Sequence, residues 1–296
     1  MRVFITGAAG YIGGTVATAL LAAGYQVSGL VRTEEKANAL RERGVTPITG
    51  SLDDAELLTA SAQAADLVVN AASADHAASV VTLVTALERS GKTLIHTSGS
   101  SIVADHADGE FGQSGGYTED DFFEPVPYRR ARVDLNRYVR QAAIDKGVRT
   151  IVICPGMIYG TGRGLNPHSD QLPKLMALSQ QVGAAVYFGK GLNRYSNVHV
   201  DDLADLYLLA NVRAPGGAIY FAENGHNSFK EIAELISAAL GLKGTVGLDV
   251  EDVLKQYGEA GRLGVASNSL ISASNARRMG WVPSRPSLVD YFRSLR

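Results

Sequence analysis

Three groups of residues have types and spacings that could do chemistry. The first is Thr6-Gly7-Ala8-Ala9-Gly10-Tyr11-Ile12-Gly13-Gly14, set between an apolar run at 3–5 and an apolar-periodic segment at 12–21. Gly7 lets the chain turn sharply out of a strand, Gly10 removes a side chain where a pyrophosphate must approach the backbone, and Gly13 lets a helix pack closely on that strand. The bare amides of the helix N-terminus, at Tyr11 and Ile12, then face an anion. The second group is Tyr128 and Arg132, four apart and so on one face of a helix. A free tyrosine titrates near 10 and needs a neighbouring positive charge to exchange a proton at neutral pH. The third is Ser98, Ser100 and Ser101, clustered where an apolar strand ends in His96-Thr97-Ser98-Gly99-Ser100-Ser101.

These residues need elements to hold them, and the sequence supplies an alternating set. Apolar runs at 3–5, 26–31, 45–49, 67–70, 94–97 and 150–154 read as strands. Between them, segments 34–43, 55–63, 77–90 and 129–146 read as helices. Repeated strand–helix units demand a parallel sheet covered on both faces, with ligands bound outside the carboxyl ends of the strands. The expectation is an α/β, Rossmann-like doubly wound parallel sheet with a smaller C-terminal substrate-binding lobe. The dinucleotide-binding domain spans 1–160, and 161–296 is mainly the lobe, interleaved with the first. Within the lobe the pattern loosens. Helices are expected at 171–181, 201–211 and 229–240 and from Ser287 onward, with short strands at 186–188, 197–200 and 218–221.

The Thr-Gly-x-x-Gly-x-x-Gly turn resembles that of the short-chain dehydrogenase/reductase superfamily, in its extended, NAD-dependent epimerase/dehydratase-like branch. The resemblance runs along nearly the whole chain and implies an NAD(P)-dependent oxidoreductase moving hydride between nicotinamide and a carbonyl or alcohol carbon. It assigns Ser100 to hydrogen-bond the reacting oxygen and Tyr128 to pass the proton. Arg132 falls where the family has lysine, which holds the nicotinamide ribose and biases the tyrosine; arginine keeps the charge but presents a planar fork. Leu52 falls where the family holds the adenine, Ala71 and Ala72 beside the cofactor ribose, and Pro155 where the chain borders the nicotinamide. The second strand ends Leu30-Val31-Arg32-Thr33, with no carboxylate for a ribose 2′-hydroxyl; Arg32 suits a 2′-phosphate, so NADP is expected, with NAD possible. Tyr117, in a Gly-Gly loop, has no basic residue four positions on. His96 and His199 read as buried, hydrogen-bonded residues.

Two other functions fit the same residues. One is a sugar-nucleotide epimerase or dehydratase with tightly held cofactor, against which stand Met157, where such enzymes carry asparagine, and the scatter of Lys190, Arg194 and Arg213. The other is a non-catalytic dinucleotide sensor, which the exchange of lysine for arginine favours. Specificity is expected in loops 105–117, 160–171 and 189–197.

The composition narrows the rest. The chain has 296 residues, a formal net charge of -2, 46% hydrophobic and 20% charged residues. That balance recommends neither nucleic acid nor an anionic membrane as partner. The single cysteine, Cys154, lies in an apolar run, fits a reducing compartment and reads as a buried thiol. No run of about 18 apolar residues exists to span a membrane, and the N-terminus reads as a strand rather than a leader. A cytoplasmic protein with a small-molecule substrate is expected. The resemblance adds a homodimer formed through two helices, one of them carrying Tyr128.

Overall fold

A strand buried on both faces must be largely apolar on both, and five segments of this chain before residue 160 meet that requirement, while a sixth, at 46–49, is half-exposed at the sheet edge. In the computed structural model, which describes residues 1–295, they pair side by side. The first half runs β1 (Arg2–Thr6), α1 (Tyr11–Ala22), β2 (Gln26–Val31), α2 (Glu34–Glu42), β3 (Thr46–Thr49), α3 (Ala55–Ala64), β4 (Leu67–Asn70), α4 (Ala77–Ala86), β5 (Thr93–Thr97), α5 (Arg130–Asp145) and β6 (Arg149–Pro155). The second half runs β7 (Met157–Tyr159), α6 (Gln171–Val182), β8 (Ala185–Phe188), β9 (Arg194–His199), α7 (Val200–Arg213), β10 (Ala218–Ala222), β11 (His226–Ser228), α8 (Phe229–Leu240), β12 (Thr245–Leu248), α9 (Val250–Val265), α10 (Ser274–Met279) and α11 (Leu288–Ser294).

The central sheet has seven strands in the order β10-β6-β5-β4-β1-β2-β3, and every pairing is parallel. The expected doubly wound sheet is therefore present. Alternate side chains feed two cores: Val3 and Ile5 join one while Phe4 joins the other, and Ile151 and Ile153 face away from Val152 and Cys154. That is the period-2 alternation of a strand covered on both sides. The strand order reverses between β1 and β4, so the crevice at their carboxyl ends is the place for a ligand.

β10 is the one strand of this sheet that comes from the second half of the chain. It lies within 161–296, the part expected to be mainly lobe and interleaved with the first domain, and pairs in the central sheet beside β6. The lobe's own core gathers α6, β8, α8 and α11 around Phe188, Phe229, Ile232 and Phe292. α9 crosses a kink at Gly258, where φ is +62°.

Candidate active site

The first turn of α1 is built by exclusion of side chains. Gly7 has a φ of +79°, and a Cβ there would lie 2.6 Å from the Ala71 carbonyl oxygen. A Cβ on Gly13 would lie 2.3 Å from the Gly7 carbonyl oxygen, so helix and turn touch backbone to backbone. At Gly10 the only neighbour within 4 Å is the Gly7 carbonyl oxygen, at 3.1 Å. Gly10 is also the N-cap of α1 and provides no side-chain cap. The first amides of the helix therefore open onto space that a protein side chain does not fill, which fits an anion held by backbone donors. The Tyr11 phenol is already engaged: it donates to the Gly160 carbonyl oxygen at 2.8 Å. Loop 160–170 closes over this turn, with Gly164 against Gly14 and Gly162 against the Tyr11 ring.

From that turn a cavity of about 550 Å³ runs along the strand ends. It brings together Tyr11, Ile12 and Ala71 with Ser100, Tyr128, Arg132 and Pro155. Gly7, Gly10, Gly13, Arg32, Leu52 and Ala72 do not line it. The glycines form the tight turn ahead of and into α1, Leu52 packs beside the second core, and Arg32 is exposed just past the end of β2. Of the three loops expected to set specificity, 160–171 gives Asn166, His168, Ser169, Asp170 and Gln171, and 189–197 gives Tyr195. Loop 105–117 gives no lining residue; Tyr117 stacks edge-on against Phe123 at 5.8 Å instead.

Each serine of the cluster has its own tether. Asn136 Nδ2 of α5 donates to Ser98 Oγ at 2.9 Å, and Arg132 Nη1 donates to Ser101 Oγ at 3.3 Å. Ser100 is buried on the cavity wall and accepts from Ser269 Oγ at 2.8 Å, with the Tyr195 phenol as a further hydrogen-bond neighbour. Beneath them His96 is buried, its Nδ1 accepting from Asn70 Nδ2 at 3.0 Å; burial lowers its pKa to about 4, so it is neutral. Burial likewise pushes the Cys154 thiol up to about 12, as an inert thiol requires. His199 accepts the Asp201 amide at 3.1 Å and caps α7, a structural role.

The tyrosine–arginine pair departs from a plain helical face. Tyr128 stands in a single 3-10 turn, Pro127–Arg129, ahead of α5, because Pro127 fits an N-terminal turn and not a helix interior. Its ring is half-exposed on the cavity wall. Arg132 is committed elsewhere. It forms a bidentate pair with Asp75, through Nε to Oδ1 at 2.7 Å and through Nη2 to Oδ2. The hydrogen bonds from Arg132 hold the Asp75 carboxyl below the usual carboxylate range, although its burial opposes this. The guanidinium thus carries a counter-charge beside it.

Sequence reasoning missed four contributors: Asp75, Arg129, Tyr195 and Ser269. Asp75 is 57 residues from its partner and Ser269 is 169 from Ser100, separations that carry no local pattern. Arg129 could have been flagged, since it follows Tyr128 directly, but an arginine at a helix start ordinarily reads as solvated.

A parallel sheet with a glycine turn at its switch point, an uncapped helix start and a serine–tyrosine–arginine wall defines a dinucleotide-binding α/β protein with an enzyme-like cleft. The chain belongs to the NAD dependent epimerase/dehydratase family, whose model matches residues 3–220. It is 34% identical to Oxidase ucsJ of Acremonium sp., over 97% of this chain and 94% of that protein. It is 27% identical to the 2-alkyl-3-oxoalkanoate reductase of Stenotrophomonas maltophilia, over 81% of this chain and 76% of the reductase. Among solved structures it is similar to dTDP-glucose 4,6-dehydratase of Bacillus anthracis in complex with NAD, with a TM-score of 0.79 at 18% identity, covering 99% of this chain and 97% of that one. That last likeness is one of fold. No helix of the described residues is long and apolar enough to cross a membrane.

Proposed function

We propose that this chain is an NAD(P)-dependent oxidoreductase that moves hydride between nicotinamide and a carbonyl or alcohol carbon of a small molecule. The observation that carries the reading is one cavity joining the uncapped start of α1 to Ser100 and Tyr128. The dinucleotide supplies the hydride when bound. Tyr11 and Ile12 hold its pyrophosphate by backbone amides, Ala71 and Pro155 give it smooth walls, and Leu52 borders its adenine. Ser100 donates its hydroxyl hydrogen to the substrate oxygen and orients it. Tyr128 passes the proton at that oxygen. Arg132 acts with Asp75 as one unit that fixes the wall behind Tyr128. Arg32, exposed past β2, favours NADP by pairing its 2′-phosphate.

The curated relatives named as oxidase and reductase support hydride chemistry. The commitment of Arg132 to Asp75 specifically favours the second reading, a dinucleotide sensor without turnover. One assay separates them: oxidation of NADPH and NADH, followed by absorbance, across aldehydes, ketones, oxo acids and UDP- and dTDP-sugars. Carbonyl-dependent oxidation, faster with NADPH, is expected. Tight cofactor binding with no turnover of any of these compounds contradicts the enzyme reading and supports the sensor.

A further inference from the structure

Two arginines three residues apart meet the cavity in opposite states. Arg132 has its carboxylate. Arg129 has none: among the described residues no hydrogen bond or ion pair reaches its guanidinium, and its Nε is buried without a partner. Arg129 is only 8% exposed, yet it lines the cavity. Burial lowers the affinity of the group for its proton and the charge on Arg132 adds to that, while Tyr195, the Asp75 carboxylate and Tyr128 oppose it without reaching hydrogen-bond distance. The Tyr128 ring lies over it, with the guanidinium carbon 4.9 Å from the ring centroid. A ring face offers a cation a modest attraction and no counter-charge. A cation taken out of water without an acceptor is costly, and such groups are as a rule paired or close to a ligand.

We infer that Arg129 is the anchor for a carboxylate on the substrate, so that the compound taken here is a small oxo acid or hydroxy acid. The inference rests on the hydride-transfer reading and names its substrate class. Three observations select a carboxylate. The guanidinium fork matches a planar carboxylate through two parallel hydrogen bonds. Apart from Arg132, which is already paired, Arg129 is the one arginine or lysine among the cavity-lining residues, so the site offers one free positive charge, enough for a carboxylate and short of what a nucleoside diphosphate sugar would want. Contact with the Tyr128 ring keeps the anion close to the reacting oxygen, which limits the number of atoms between carboxylate and carbonyl. Buried Tyr195 completes this corner. Burial drives its phenol above its ordinary range, and the hydroxyls of Ser269 and Ser100 and the charge of Arg129 pull the other way. A neutral phenol there can donate to a carboxylate oxygen that Arg129 leaves free.

The test pairs acids with their methyl esters: pyruvate, acetoacetate, 3-oxohexanoate and 3-oxodecanoate, reduced with NADPH by the wild type and by Arg129→Gln and Arg129→Lys. The wild type should prefer acid over ester by about tenfold or more in kcat/KM, the scale of a hydrogen bond to a charged group. Arg129→Gln should bring that ratio near one, and Arg129→Lys should restore part of it. Equal use of acid and ester by the wild type, or an Arg129→Gln variant that keeps the ratio, overturns the inference. Thermal unfolding gives a second reading that needs no turnover. Free Arg129→Met should melt about 2 °C or more above the wild type, since it removes a largely buried cation that no acceptor hydrogen-bonds, and the same acids should raise Tm of the NADP-loaded wild type but not of Arg129→Met. Carboxylate-dependent stabilisation without turnover keeps this inference and removes the hydride reading. A lower Tm for Arg129→Met, or no shift of the wild type by any of the acids, makes Arg129 structural and overturns it.

Discussion

The two ends of the cavity are built by different physics. At the cofactor end, shape is set by what is missing: Gly7, Gly10 and Gly13 lack the side chains that would strike backbone at 2.3–3.1 Å, and the open amides are fixed by α1 itself. At the chemistry end, the position of charge decides: Arg132 is neutralised by Asp75, Arg129 is not, and Ser100 is aimed by Ser269. A steric site of this kind is rigid and tolerates almost no substitution. An electrostatic one can be retuned by exchanging a single partner, which is how arginine can stand at Arg132 without the fold noticing.

Breaking the steric end should have the largest effect. Gly10→Val should stay folded, because the protein presses on that Cβ only through the Gly7 carbonyl, yet should lose dinucleotide binding by about a thousandfold or more, since ordering a pyrophosphate on these amides requires the bare backbone. Calorimetric titration checks it, and circular dichroism checks the fold. Gly13→Val is the sharpening control: with 2.3 Å to the Gly7 carbonyl it should lose fold and binding together.

At the chemistry end, Tyr128→Phe should reduce turnover by about a hundredfold or more, the scale of a positioned proton donor, with cofactor affinity little changed. The half-exposed ring makes the substitution mild for stability. Stopped-flow single turnovers at saturating cofactor separate the two quantities.

Arg32→Ala should weaken NADP by about 10- to 100-fold, as expected for a hydrogen-bonded charge pair of about 1.5–3 kcal/mol, and leave NAD nearly unaffected. Equal loss for both cofactors would detach Arg32 from the 2′-phosphate.

The smallest effect is expected from Asp75→Asn, which removes the counter-charge from Arg132. The uncompensated cation then favours the tyrosinate, so the basic limb of the pH–rate profile should move to lower pH. The same pair sets a stability signature. Arg132 depresses the folded pKa of Asp75, so the pair contributes above the ordinary carboxylate range and is lost as pH falls through the depressed value. Acid titration should therefore narrow the stability gap between wild type and Asp75→Asn below about pH 4, by less than about 1 kcal/mol for a carboxylate this exposed.

Much of the fold was legible because buried parallel strands leave apolar runs, and five of the six strands of the first half of the chain lie where such runs are; the edge strand β3, Thr-Pro-Ile-Thr, is half-exposed and carries the weakest run. β10 reads equally well as a strand, but nothing in Ala-Ile-Tyr-Phe-Ala says which sheet it joins; β6 decides that through register. α9 went unread because Gly258, Gly261 and Gly264 break its periodicity, and it supplies Ala260 and Gly264 to the cavity. The backbone half of the site was written in glycine spacing. The partners of Arg132 and Ser100 were not, since a side-chain pair formed across loops leaves no trace in either local sequence. The solitude of Arg129 is visible only once every carboxylate near it is seen to be taken.

The most direct measurement is a crystal structure of the chain with NADP bound. The nicotinamide ring should lie in the cavity between Pro155 and Tyr128, its C4 facing the space between the Ser100 and Tyr128 hydroxyls, so that a carbonyl carbon can sit about 3–3.5 Å from it. A nicotinamide held elsewhere, or one whose C4 faces away from both hydroxyls while the adenine and pyrophosphate sit on the α1 turn, would contradict the hydride-transfer reading and leave a protein that binds the dinucleotide without using it.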